Sequence, residues 1–212
     1  MVVVPHVPGM LRRATYEAVR AQVGDQAVFL ADPGGGMFYA DLLRRLYHEP
    51  GELVIVEQDV VPPPGSLRNL QDCPGLWCGH RLPFQGKLNY GTLGLARFSA
   101  ELKRLLPLLF DYALARPPYL KQMVCLKPGE PNAFASNDPR EWPSTVGWPW
   151  CDMLILRELE TRGAVWHEHA PPVEHLHDWP GEPASEKIEL GGPVERDEQG
   201  APTAGPEPVL GR

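Results

Sequence analysis

Apolar positions in the first sixty residues alternate between two periods. "VVV" at Val2–Val4 and "AVFLAD" at 27–32 are short apolar runs of strand length, and "LVIV" at Leu53–Val56 is a continuous run rich in β-branched residues, the pattern of a strand covered on both faces. Between them "MLRRATYEAVRAQV" (10–23) and "MFYADLLRRLYHE" (37–49) carry apolar residues at helical spacing. This β-α-β-α-β order predicts an α/β domain with a parallel sheet, right-handed crossovers and ligand loops at the carboxyl ends of the strands. Further on, "SAELKRLL" predicts an amphipathic helix capped by Ser99. "DMLILRELETRG" predicts another, with Asp152 near its start and Gly163 at its end, and "AVWHEH" (164–169) predicts a strand after it.

The third strand ends in an unusual way. After Val56 come Glu57, Gln58 and Asp59, and then Pro62, Pro63 and Pro64, which cannot continue a ladder. The chain therefore leaves the sheet just past two acids, at the edge where open α/β sheets bind ligands. Asp32 ends the second strand in the same manner, with two readings: a hydrogen bond to a nucleoside's base or ribose, or the cap of the next helix. The Gly34–Gly36 turn has neither the G-x-G-x-x-G spacing of a dinucleotide site nor a P-loop pattern.

Four of the seven histidines fall between 167 and 177. Strand alternation puts His167 and His169 on one face, and His175 and His177 on one face if that stretch is extended. Such clustering points to a metal.

Composition narrows the classes. The chain has 212 residues, enough for one domain with a substantial core. A net charge of -7 and a pI near 5.5 give no global attraction to nucleic acid or anionic membranes. Four irregularly spaced cysteines suggest neither a zinc knuckle nor a disulfide framework, and are read as reduced and packed. With no long apolar run and no signal-peptide pattern, a cytoplasmic protein is expected. The 25 prolines concentrate in loops and near the end. Residues 180–212 are Pro/Gly/Glu-rich and are expected to form a mobile tail on a domain spanning 1–179.

The order of these features over roughly residues 1–179 resembles the GT-A type of nucleotide-diphosphosugar glycosyltransferase, similar to family 2. The resemblance implies a Rossmann-like, mostly parallel sheet flanked by helices in a single domain. Glu57-Gln58-Asp59 looks like an E-x-D version of the D-x-D motif that binds a divalent cation and the sugar nucleotide. The resemblance assigns Pro5, His6, Asp32, Glu57, Gln58 and Asp59 to donor binding, and Asp59 with His175 or His177 to Mn²⁺ or Mg²⁺. It makes Asp152 the base that deprotonates the acceptor hydroxyl in an inverting transfer, the bland alternative being a helix cap. "NYGTLGLARFS" looks like the floor under the donor sugar, with Gly91 in it, and Trp148 and Trp150 would offer stacking faces to sugar or acceptor. The implied partners are a nucleotide-sugar donor and an acceptor that is a small molecule, a glycan, a protein or a modified nucleobase. A nucleotidyltransferase and a non-catalytic zinc-binding interaction module are the alternatives.

Overall fold

A computed structural model of the protein describes residues 1–31, 36–84, 87–89, 92–115, 151–176 and 185–190. In chain order the elements are β1 (Val2–His6), β2 (Leu11–Arg12), α1 (Arg13–Val23), β3 (Ala27–Ala31), α2 (Gly36–His48), β4 (Leu53–Val56), β5 (Val60–Val61) and α3 (Ser66–Gln71). They continue with β6 (Trp77–His80), β7 (Leu82–Phe84), β8 (Lys87–Asn89), β9 (Leu95–Phe98), α4 (Ala100–Leu105), α5 (Leu109–Ala115), α6 (Cys151–Thr161), β10 (Trp166–His169), β11 (Glu174–His175) and β12 (Lys187–Ile188).

The main sheet runs β10-β6-β9-β4-β1-β3. β1 pairs in parallel with β3 and β4, as the β-α-β-α-β pattern requires, and β10 pairs in parallel with β6. β9 is antiparallel to both of its neighbours, β4 and β6. Its direction follows from the connection. The chain leaves β6 at the carboxyl edge and comes back through the short antiparallel pair β7–β8, with no crossover helix to carry it to the opposite edge. β9 therefore starts where β4 ends.

Strand alternation divides the core into two layers. Val3, Ile55, Trp77, Ala96 and Phe98 face one way, against apolar residues of α2, α5 and α6. Val2, Val4, Val54, Val56, Cys78 and Leu95 face the other, against Val19 of α1 and Leu67 and Leu70 of α3. Strands covered on both sides explain the unbroken apolar runs in the sequence. In the first layer Tyr47 stacks on Phe110 at 4.4 Å between ring centres and meets Phe98 edge-on at 5.9 Å. On β6, next to the edge strand β10, Gly79 lies so close to the Leu95 carbonyl and the Trp166 ring that a Cβ would overlap both.

Local signals act as read at two helix ends. The Ser99 hydroxyl oxygen accepts from the Leu102 amide at 3.0 Å. Gly163 closes α6 with a φ of 71°, a left-handed conformation that glycine adopts without a Cβ penalty. Two expectations change. α1 begins at Arg13 rather than residue 10, because Leu11 and Arg12 pair with Ile188 and Lys187 in an antiparallel bridge. That bridge also ties part of the expected tail to the body. The Arg13 guanidinium meets Glu186 at 2.8 Å, Arg12 donates to the Ser185 carbonyl at 3.0 Å, and Ile188 and Leu190 pack on the α1/α3 layer. Polar composition concealed two apolar residues spaced to reach this core. Among the described residues no helix is long and apolar enough to cross a membrane.

Candidate active site at the carboxyl edge of the sheet

The two acids after β4 separate at once. Glu57 turns inward: it is buried, its amide donates to the Gly94 carbonyl at 2.9 Å, and its carboxylate accepts from the Tyr39 hydroxyl at 3.0 Å. Asp59 turns toward β11. β5 and β11 pair antiparallel with His175 opposite Val60, and the Leu176 amide donates to the Asp59 carbonyl at 2.8 Å. This small ladder brings His175 Nε2 to 3.5 Å from Asp59 Oδ2.

The donor set fits a divalent cation. His175 Nδ1 lies 3.3 Å from the Pro83 carbonyl, which only accepts, so this nitrogen carries the proton. In the neutral ring Nε2 then turns a lone pair toward a carboxylate oxygen, a contact that is favourable only with a proton or a cation between the two. Asp59 Oδ1 is buried and has no hydrogen-bond partner among the described residues. A bare buried carboxylate oxygen is costly, and a cation removes that cost. Oxygen with one imidazole suits Mn²⁺.

Asp152 lies in the first turn of α6, beside the Cys151 thiol, which donates to its Oδ1 at 3.3 Å. Burial raises its pKa, outweighing the thiol and the backbone amides of Asp152 itself and of Leu93, which favour the charged form. Leu93 adjoins Gly94, the residue that holds the Glu57 amide. Glu57, Cys151 and Asp152 all lie near enough to Tyr39 to push its pKa up, after burial, which is the largest cause. β9, by starting at this edge, thus draws together an acid from β4, a phenol from α2 and an acid from α6.

At the end of β1, His6 is buried, and burial lowers its pKa, so the ring is neutral near pH 7. Pro5 and His6 pair with Leu30 and Ala31 of β3. The Gln58 carboxamide oxygen accepts from the Val7 amide at 2.8 Å, and its carbonyl from the Arg12 amide at 2.9 Å. Gln58 thereby clips the exit of β1 to the acid-bearing loop, a positioning contact that the sequence did not reveal. Asp32, Gly91, Trp148, Trp150 and His177 lie outside the described residues.

The histidine cluster divides in two. His175 goes to Asp59, whereas His167 and His169 face Cys73, with Cys73 Sγ 3.0 Å from His167 Nδ1. Tyr39 and Cys73 are the two participants that sequence reasoning missed. Tyr39 sits among the apolar residues of an ordinary amphipathic helix, and Cys73 precedes His167 by 94 positions.

No protein-family model matches the chain, and no curated protein matches it in sequence. Among solved structures, a glycosyltransferase involved in glycosylation of the major capsid of PBCV-1 is similar over 58% of this chain and 72% of its own, at 14% identity and a TM-score of 0.36. A197 from STIV is similar over 48% of this chain and 66% of its own, at 13% identity and a TM-score of 0.31. Likeness at this level does not define a shared fold, and the functional reading rests on the site's own residues.

Proposed function

We propose that this protein is a metal-dependent glycosyltransferase that moves a sugar from a nucleotide-diphosphosugar to an acceptor hydroxyl, with inversion. The observation that carries the reading is the buried, unpartnered oxygen of Asp59 beside His175, at the same sheet edge as the enclosed carboxyl of Asp152. Asp59 and His175 would hold Mn²⁺ or Mg²⁺, which when bound neutralises charge developing on the leaving diphosphate.

The remaining work belongs to the chain's own groups. Asp152 takes the proton of the acceptor hydroxyl, and its raised pKa brings it closer to the operating range of a general base. Attack on the face opposite the diphosphate inverts the anomeric carbon. Glu57, fixed by Tyr39 and Gly94, holds the wall between the cation side and the base side rather than taking a proton itself. Pro5 and His6, at the end of β1 and steadied by Gln58 through Val7, border the nucleotide. Asp32 would contact the nucleoside, Gly91 would underlie the sugar, and Trp148 and Trp150 would stack against sugar or acceptor.

Slow hydrolysis of a donor needs no acceptor, so the test is mass detection of products from a panel of sugar nucleotides, with and without Mn²⁺. Metal-dependent release of a nucleoside diphosphate from at least one donor is expected. Release of a nucleoside monophosphate and a sugar 1-phosphate instead would indicate nucleotidyl chemistry and overturn the reading.

A further inference from the structure

A second cluster of metal-ligating side chains lies on the α3 side of the sheet and shares no residue with the Asp59–His175 pair. Three ligand atoms, one each from Cys73, His167 and His169, lie within 4.8 Å of one another. The two histidines come from the edge strand β10, whose register sets His167 beside Cys78 and His169 beside His80. Cys73 comes from the loop between α3 and β6.

Four features mark this as a built arrangement. The Cys73 sulfur and His167 Nδ1 stand 3.0 Å apart, a direct contact between two metal-ligating atoms. The Gly75 amide donates to the same sulfur at 3.3 Å and orients it. Gly75 also leaves the space the histidine needs: a Cβ there would lie 3.0 Å from His167 Cβ and 3.4 Å from the Cys73 sulfur. Finally, His169 Nε2 is buried without a hydrogen-bond partner among the described residues. The loop itself is pinned, because the buried Arg97 donates to the Cys73 and Gly75 carbonyls, both at 3.0 Å, and pairs with Glu52 at 2.9 Å.

We infer that Cys73, His167 and His169 form a zinc site with a fourth position open to water. One thiolate with two imidazoles is a soft to borderline donor set that suits Zn²⁺ and not Mn²⁺ or Mg²⁺, so the two cation sites of this chain would select different metals. Zinc displaces the thiol proton to solvent and joins the α3–β6 loop to the edge strand β10. The site goes beyond the proposed transferase activity and does not depend on it.

Co²⁺ is the probe, since thiolate ligation gives a sulfur-to-cobalt charge-transfer band in the near ultraviolet. Titration of the full chain is expected to produce that band, Zn²⁺ to abolish it, and excess Mn²⁺ to leave it. Cys73→Ser should remove the band and the rise in melting temperature caused by Zn²⁺. Should that variant fail to fold, His167→Ala, at an exposed position, serves instead and should weaken Co²⁺ binding by at least about tenfold. A band of unchanged intensity and affinity in either folded variant, or no band in the wild type, overturns the site. Mn²⁺-dependent donor binding, measured on the same variants, should be unaffected, so failure of the zinc site and failure of the transferase reading remain distinguishable.

Discussion

At the scale of single residues, Asp152 carries a conflict between stability and chemistry. Its folded pKa is raised by burial, so the unfolded chain ionises more readily and the group destabilises the fold at neutral pH. Between the unfolded aspartate value of about 3.9 and the raised folded value, the native state holds more protons, and stability rises as pH falls. Asp152→Asn should therefore melt higher than wild type at pH 7, with the advantage shrinking toward acid, while transfer falls by about two to four orders of magnitude. Wild-type turnover in this variant would remove the base assignment, and an unchanged or lower melting temperature would remove the burial penalty. His6 has the opposite sign. Its folded pKa is lowered by burial, so its contribution is complete above about pH 6.5 and is lost as pH falls through the folded value. Urea unfolding at pH 7.5 and 5.5 should show a smaller acid loss in His6→Gln than in wild type, and equal losses would contradict the neutral buried ring. The places of Asp59 and Asp152 in the fold were legible because Asp59 follows a strong strand signal and Asp152 opens a strong helix signal. The hydrogen bond from Tyr39 to Glu57 was not, since a tyrosine on an apolar helix face reads as core.

Among the elements, β9 does the most to build the site. It separates two parallel groups of strands and starts at the edge where the others end, which brings Leu93 to Asp152 and Gly94 to Glu57. Its close contact with β6 depends on Gly79. Gly79→Ala forces a Cβ against the Leu95 backbone carbonyl, which has no rotamer to yield, and should cost about 1–3 kcal/mol or more. Denaturant unfolding of the variant checks this, and a change within about 0.5 kcal/mol would mean that the strands separate freely. The apolar runs made β1, β3 and β4 readable; β1 and β4 are buried throughout, whereas β3 is an edge strand and mostly half-buried. β6 was hidden, as "WCGH" mixes apolar and polar residues: Cys78 packs in the α3-side core layer, while His80 stacks on His169. β2, β5, β11 and β12 are two-residue bridges defined by long-range partners, which no local period announces. The same holds for Ser185–Leu190, where composition predicted a free tail and pairing with β2 anchors it.

For the molecule as a whole, the proposed function draws on three chain segments at the carboxyl edge: the loop after β4, the start of α6, and the strand β11. The order of these segments was visible along the chain, whereas the division of the histidines into two sets was not, because it depends on which loop each strand passes. In the proposed reading a cation is the partner of Asp59 and His175, so that donor affinity and metal should rise and fall together. Calorimetry of sugar-nucleotide binding with and without Mn²⁺, on wild type and Asp59→Ala, tests this most directly. The account predicts binding that requires Mn²⁺ in the wild type and weakens by about 100-fold or more in a variant that melts normally. Equal affinity in the folded Asp59→Ala protein, or affinity indifferent to Mn²⁺, would contradict it.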